Sequence, residues 1–157
     1  MQQKNGSRAR WGLGCAGRPG MLPCMAPAAP PVTITGTVAY VFDGDTIAVA
    51  DPRGSETRVR LLGIDTPETR KPDTPVQCWG PQASQRTHAL LPLGTRVRVV
   101  SDPTQDLRDR YHRFLGYVFI AGATRSVNLR LVAGGDARVY VYDPAHPFRH
   151  LRGYRTA

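Results

Sequence analysis

In two places an apolar run of this sequence ends in acidic residues beside Gly, Thr or Pro. "VFDGDTIAV" carries Asp45 next to Thr46, and "RVRLLGIDTPETR" carries Arg60, Asp65, Thr66 and Glu68. Taken singly, an aspartate at such a position is a turn residue that bonds its own backbone. Taken together, Asp45, Asp65, the Thr66 carbonyl and Glu68 supply the oxygen ligands that hard divalent cations use, Ca²⁺ above all. The chain has no His/Cys cluster of zinc spacing. Arg60 adds a cationic group. Strand alternation sets it on one face with Leu62 and Ile64, while Val59, Leu61 and Gly63 take the other. An arginine on an apolar face either snorkels at a strand edge or reaches an anion or a carboxylate. Sequence spacing alone does not join these groups; a fold must do so.

The remaining composition narrows the setting. A chain of 157 residues suggests one compact domain with some tail, expected to act as a monomer. At 41% hydrophobic and 21% charged it has the balance of a soluble globular protein. No stretch approaches the ~20 apolar residues of a membrane-spanning helix. The net charge of +9, from 21 Lys plus Arg against 12 Asp plus Glu, favours a polyanionic partner such as nucleic acid or an anionic membrane surface. Nearly all of that positive charge is arginine, whose planar fork suits bidentate phosphate contacts. Cys15, Cys24 and Cys78 are odd in number and show no metal-ligand spacing, so no disulfide framework is expected to hold the core.

The elements that must position these residues begin at Val32. Residues 1–31 are rich in Gly, Pro and Arg without helical or strand period. They read as a disordered leader, a degenerate export signal, or the product of a misassigned start. Export would place the protein outside the cell or in its envelope, and otherwise it is cytoplasmic. "VTITGTVAYVF", "DTIAVAD" and "ETRVRLLGI" read as three strands of a meander. "TPETRKPDTPV" is a loop. "GPQASQRTHALLPL" reads as a helix with Ala83, Ala89, Leu90 and Leu93 toward one side. Strands "TRVRVVSD" and "FLGYVFI" follow around the polar loop "PTQDLRDRYHR". "SVNLRLVAGG" is a short helix opening at Ser126 and stopped by Gly134 and Gly135, and "DARVYVY" is the last strand.

The ordered set "VFDGDTIAV … RLLGIDTPET … CWGPQAS … DRYHRFLGYVF … VNLRLVAGGDARVYVY" resembles the thermonuclease (staphylococcal nuclease-like) family over about residues 33–144. The resemblance implies a mainly β member of the α+β class, an OB-fold five-stranded barrel flanked by helices, here with a disordered N-terminal tail and a shortened C-terminal helix. It implies a Ca²⁺-dependent nuclease that hydrolyses DNA and RNA, single strands preferred, with little sequence specificity, leaving 3′-phosphates. By position, Asp45, Asp65 and Thr66 match the metal ligands, and Glu68 matches the acid that activates or positions water. Arg60 and Arg113 match the pair gripping the scissile phosphate. Arg110, Tyr111, Tyr140 and Tyr142 match substrate contacts. Two departures concern the Arg113 loop: His112 stands where the family usually has Gly, and Phe114 where small or polar residues are common. A third is the C-terminus, where "RHLRGYRTA" stands in place of a long amphipathic helix, so that residues 32–150 form the domain and 151–157 a short tail. The alternatives are an OB-fold module that binds single strands without cleaving them, and a destabilised, C-terminally shortened family member.

Overall fold

The computed structural model describes residues 29–67 and 80–157. Residues 1–28 of the leader, all three cysteines, and residues 68–79 after Pro67, Glu68 among them, lie outside the described residues.

Five strands close a barrel in the order β1-β2-β3-β6-β5. β1 is Thr33–Asp43, β2 Thr46–Ala50, β3 Glu56–Leu61, β5 Arg96–Val100 and β6 Phe114–Ile120. Every barrel pairing is antiparallel except β3 with β6, which is parallel and joins Arg60 to Leu115. The β-branched residues of these strands fill the interior, with Val38, Val41, Ile47, Val59, Leu61, Val99 and Val118 each at most 1% exposed. Closure leaves no strand edge in the barrel unpaired.

The long third strand expected from sequence is interrupted. Gly63 adopts φ 79°, in the region where a side chain is strained, and a Cβ there would meet the Phe148 ring at 2.6 Å. The chain turns at Leu62–Gly63 and resumes as β4, Ile64–Asp65, which leaves the barrel and pairs with β7, Arg138–Val139. For the same reason the last expected strand shrinks: its only described ladder partner is the two-residue β4, extended by Tyr140 N donating to Gly63 O at 3.0 Å.

Three helices support this frame. α1, Gly80–Leu90, stops short of the expected Leu93 because Pro92 cannot extend it. Its inward face also differs from expectation: Ala83, Thr87 and, just beyond the helix, Leu91 are buried, whereas Ala89 is exposed and Leu93 is 65% exposed. A polar residue occupies that face because the Thr87 hydroxyl donates to Gly44 O at 2.7 Å. α2, Val127–Ala133, begins at the expected cap: Leu129 N donates to the Ser126 hydroxyl, and the helix ends at Gly134. Its Asn128 is fully buried, accepts from Val118 N and donates to Leu62 O and Gly116 O. That amide ties the Leu62 turn to the barrel. α3, Leu151–Arg155, is the expected shortened C-terminal helix, and its Tyr154 is 3% exposed and packs edge-on against Phe148 and Tyr117.

Candidate active site at one end of the barrel

One end of the barrel gathers the start of β2, the end of β3 and the start of β6. Asp45 sits in the tight connection between β1 and β2, beside a register irregularity at Val41/Asp43. Such bulges turn a strand and re-aim its side chains. Two backbone anchors fix the connection: Leu61 N donates to Asp45 O at 2.8 Å, and Thr87 holds Gly44 O from α1.

Pairing across β2 and β3 sets Arg60 opposite Thr46, one residue from Asp45. The Arg60 guanidinium then resolves the question posed by its face. Nη1 donates to Leu61 O at 3.0 Å and Ile64 O at 2.8 Å, around the Gly63 turn. Nη2 lies 2.9 Å from Asp45 Oδ2 and 3.2 Å from Asp65 Oδ1. One guanidinium nitrogen therefore joins two carboxylates that lie twenty positions apart in sequence (45 and 65). The Gly63 turn makes this possible by folding Asp65 back toward the Arg60 side chain. Asp45 Oδ2 also accepts from Thr66 N at 3.2 Å, and Oδ1 from the Thr46 hydroxyl at 2.9 Å.

The parallel β3–β6 seam delivers Arg113, immediately before Phe114, whose partner in β3 is Val59. Asp109 holds it twice, accepting from Arg113 N at 3.0 Å and from Nε at 2.7 Å. Nη1 approaches the Thr46 hydroxyl at 3.3 Å, which links Arg113 through Thr46 to Asp45. His112 takes φ 61°, the left-handed conformation that glycine adopts without strain. His112 thus holds the loop in a glycine-type conformation, and Arg113 is anchored to Asp109. Arg110 and Tyr111 are exposed beside it: Arg110 Nη2 donates to the Tyr111 hydroxyl at 2.7 Å, and both Arg110 and Arg113 lie over the Tyr111 ring. Tyr140 and Tyr142 are exposed on the stretch that continues β7. No described contact joins them to the Asp45–Arg60 cluster.

Electrostatics separate Asp45 from its neighbours. Burial pushes its carboxyl above the usual aspartate range and Asp43 adds to that, while Arg60, Thr66 N and Thr46 pull the other way without prevailing. Asp109 shows the opposite outcome. Burial raises it too, but the Arg113 and Tyr111 contacts outweigh burial and hold it below its ordinary value. The Thr66 hydroxyl, against Gly44, is buried and has no hydrogen-bond partner among the described residues. A desolvated carboxylate short of compensation, a second carboxylate on the same guanidinium and an unsatisfied buried hydroxyl fit a hard cation that takes oxygen ligands. Among the described residues no group of three or more His, Cys, Asp or Glu converges, and Glu68 is not among them.

Sequence reasoning missed three residues that the geometry brings in. Asp109 anchors Arg113, and its signal was the four-residue spacing ahead of an arginine in a polar loop. Thr87 pins the Asp45 connection, and a hydroxyl at i+4 from Ala83 was its faint trace. Arg138 closes on Asp65 with Nε at 3.0 Å and Nη2 at 2.6 Å, both to Oδ2. Nothing local in "DARVYVY" announces that contact.

A closed five-stranded barrel with helices against it, carrying this arginine–carboxylate cluster at one end, defines a class, and comparison with known proteins agrees. The family model of the staphylococcal nuclease homologues matches residues 58–156, and the chain belongs to that family. It is 43% identical over 114 residues to a thermonuclease of Staphylococcus intermedius and 40% identical over 115 residues to one of Staphylococcus hyicus, each alignment covering 73% of this chain and 64% of the relative. It is 43% identical over 109 residues to the endonuclease YncB of Bacillus subtilis (strain 168), covering 69% of this chain and 49% of that protein. The chain thus spans somewhat under two thirds of the length of the two thermonucleases. Among the described residues no helix is long and apolar enough to cross a membrane.

Proposed function

We propose that this chain is a Ca²⁺-dependent nuclease that hydrolyses phosphodiester bonds of DNA and RNA, single strands preferred, with little base specificity and 3′-phosphate products. The observation that carries this reading is the pairing of two anchored guanidiniums, Arg60 and Arg113, with two carboxylates, Asp45 and Asp65, at one barrel end. The names of the relatives, thermonuclease and endonuclease, support it.

Each residue has a role set by charge and position. Asp45, Asp65 and the Thr66 carbonyl hold the cation, which when bound supplies positive charge to the phosphate oxygens. Attack on phosphorus raises the negative charge of the phosphoryl oxygens, and Arg60 and Arg113 answer it with donors that are already oriented. Arg60 is fixed by two carbonyls and Arg113 by Asp109, so little reorganisation accompanies the reaction. Glu68 takes the proton of the attacking water. Arg110 reaches an adjoining phosphate, while Tyr111, Tyr140 and Tyr142 offer ring faces on which any base can stack.

The test is cleavage of single-stranded DNA and of RNA with Ca²⁺, with Mg²⁺ and with excess chelator. Cleavage is expected with Ca²⁺, much less with Mg²⁺, which demands a stricter octahedral shell, and none with chelator. Undiminished cleavage in chelator overturns the metal assignment, and no cleavage under any condition overturns the enzymatic reading.

A further inference from the structure

Asp65 has its two oxygens held by different arginines. Oδ1 faces Arg60, whose side chain is 15% exposed and fixed by two backbone carbonyls. Oδ2 is taken by Arg138, whose side chain is 76% exposed and for which no other hydrogen bond or ion pair is found among the described residues. One partner is built into the frame and the other reaches in on a solvent-exposed side chain. Arg138 stands at the edge of a cleft of about 510 Å³ lined by Asp65, Thr66, Pro67, Gly135, Asp136 and Ala137. It is also two residues before Tyr140, and across the end of β7 positions 138 and 140 are exposed while 139 is less so. That alternation turns Arg138 and Tyr140 toward the same side.

We infer that Arg138 is an exchangeable counter-ion of Asp65: it pairs with the carboxylate while the metal position is empty, yields Oδ2 to the cation, and then engages a phosphate of the nucleic acid strand. The inference rests on the metal and substrate reading of the preceding subsection and adds a residue to it. The chemistry is an exchange of partners with no covalent step. A cation at Asp65 must displace or repel the guanidinium, so Arg138 lowers cation affinity in the free protein. Once displaced, the guanidinium lies on the side of Tyr140 with its fork open, and a strand phosphate suits that fork better than solvent does. Cation and substrate are thereby coupled through one side chain. An exposed ion pair contributes only ~0.2–1 kcal/mol, so its removal changes cation affinity by up to about fivefold.

The experiment uses the full chain and its Arg138→Met and Arg138→Lys variants, with Asp45→Asn as the site control. Calorimetric titration with CaCl₂ alone reads cation affinity, and steady-state cleavage of single-stranded DNA at saturating Ca²⁺ separates KM from kcat. Arg138→Met is expected to bind Ca²⁺ up to about fivefold more tightly than the parent, with Arg138→Lys between them. Its KM for single-stranded DNA is expected to rise several-fold, with kcat within about twofold. A purely structural role for Arg138 moves both affinities in the same direction. Ca²⁺ binding by Arg138→Met that equals or falls below that of the parent overturns the exchange. If the parent binds Ca²⁺ no better than Asp45→Asn, the metal reading itself fails and this inference falls with it.

Discussion

Asp45 and Asp102 are both buried aspartates in the same barrel, and they have opposite fates. Asp102 follows β5 and is 2% exposed. Burial raises its carboxyl, but Tyr117, Thr104 and Arg149 outweigh that effect. The Tyr117 hydroxyl donates at 2.6 Å, Arg149 N at 2.7 Å and Thr104 N at 3.0 Å, and together these contacts hold Asp102 below the usual aspartate range. Tyr117 is raised in turn, by its own burial and by Asp102. Asp45 has Arg60, Thr66 N and Thr46, yet remains raised by burial. One carboxylate is fully provided for by the chain and fastens the C-terminal segment to the barrel. The other is left short, as expected of a group whose remaining partner comes from solution.

The contrast can be broken from either side. Replacing Asp102 with Ala strands donors from Tyr117, Arg149 and Thr104, and is expected to lower unfolding free energy by about 3–5 kcal/mol, read from denaturant melts. The pH dependence should follow the same residue. Because folding lowers the Asp102 pKa, its contribution is fully present above the unfolded aspartate value and is lost as pH falls through the folded one. Stability should therefore decline below about pH 4, and Asp102→Asn should flatten that decline. A variant that keeps the parent's acid limb counts against this assignment.

The next effects fall on rate. Arg60→Ala and Arg113→Ala should each cut kcat by roughly 10²–10³, the loss seen when one preorganised transition-state donor is removed. Arg113→Lys should remain strongly impaired, since an ammonium cannot both bind Asp109 and present a fork. Near-normal turnover of Arg113→Lys would show that the loop has left its proposed role.

Smaller still is the effect of Asp45→Asn on folding. With chelator present it should change stability by under about 1 kcal/mol, because it neutralises an uncompensated charge while Arg60 keeps Asp65 and two carbonyls. The same variant should lose the rise in melting temperature on adding Ca²⁺. A large drop in chelator would place Asp45 beside Asp102 as a structural residue. The smallest change is His112→Gly. Relief of the left-handed strain, partly offset by the flexibility of glycine, should stabilise the protein by about 0.5–1 kcal/mol with turnover unchanged.

Much of this site was legible because its residues interrupt local patterns. Arg60 breaks an apolar face, and Asp45 and Asp65 stop apolar runs, so each is conspicuous before any fold is known. The cap at Ser126 and the stop at Gly134 were legible for the same reason: helix ends are chosen by neighbours in sequence. The inward face of α1 was not, because Thr87 is buried for a carbonyl contributed by a distant hairpin. Nor was the break at Gly63, which depends on a Phe148 ring that arrives from the far end of the domain. Asp102 and Arg138 were opaque in the same way. Arg138 pairs with Asp65 from far along the chain, and Asp102, beyond its local contact with Thr104, depends on Tyr117 and Arg149, which nothing in its own segment marks.

The parallel pairing of β3 with β6 has a consequence for how the molecule comes into being. β1, β2 and β3 follow one another through short connections and can zip as consecutive hairpins, with little chain entropy lost at each step. Val59 and Phe114 meet only when the long intervening chain, including α1 and β5, has been drawn together. With the β1–β5 pairing, whose partners are at least as far apart in sequence, the seam is a slow, non-local step of folding, and until it forms β3 and β6 expose bare edges that invite pairing with other chains. Arg60 and Arg113 flank that seam. Their alignment is a late product of assembly, so a probe of phosphate binding at this end of the barrel would report barrel closure itself.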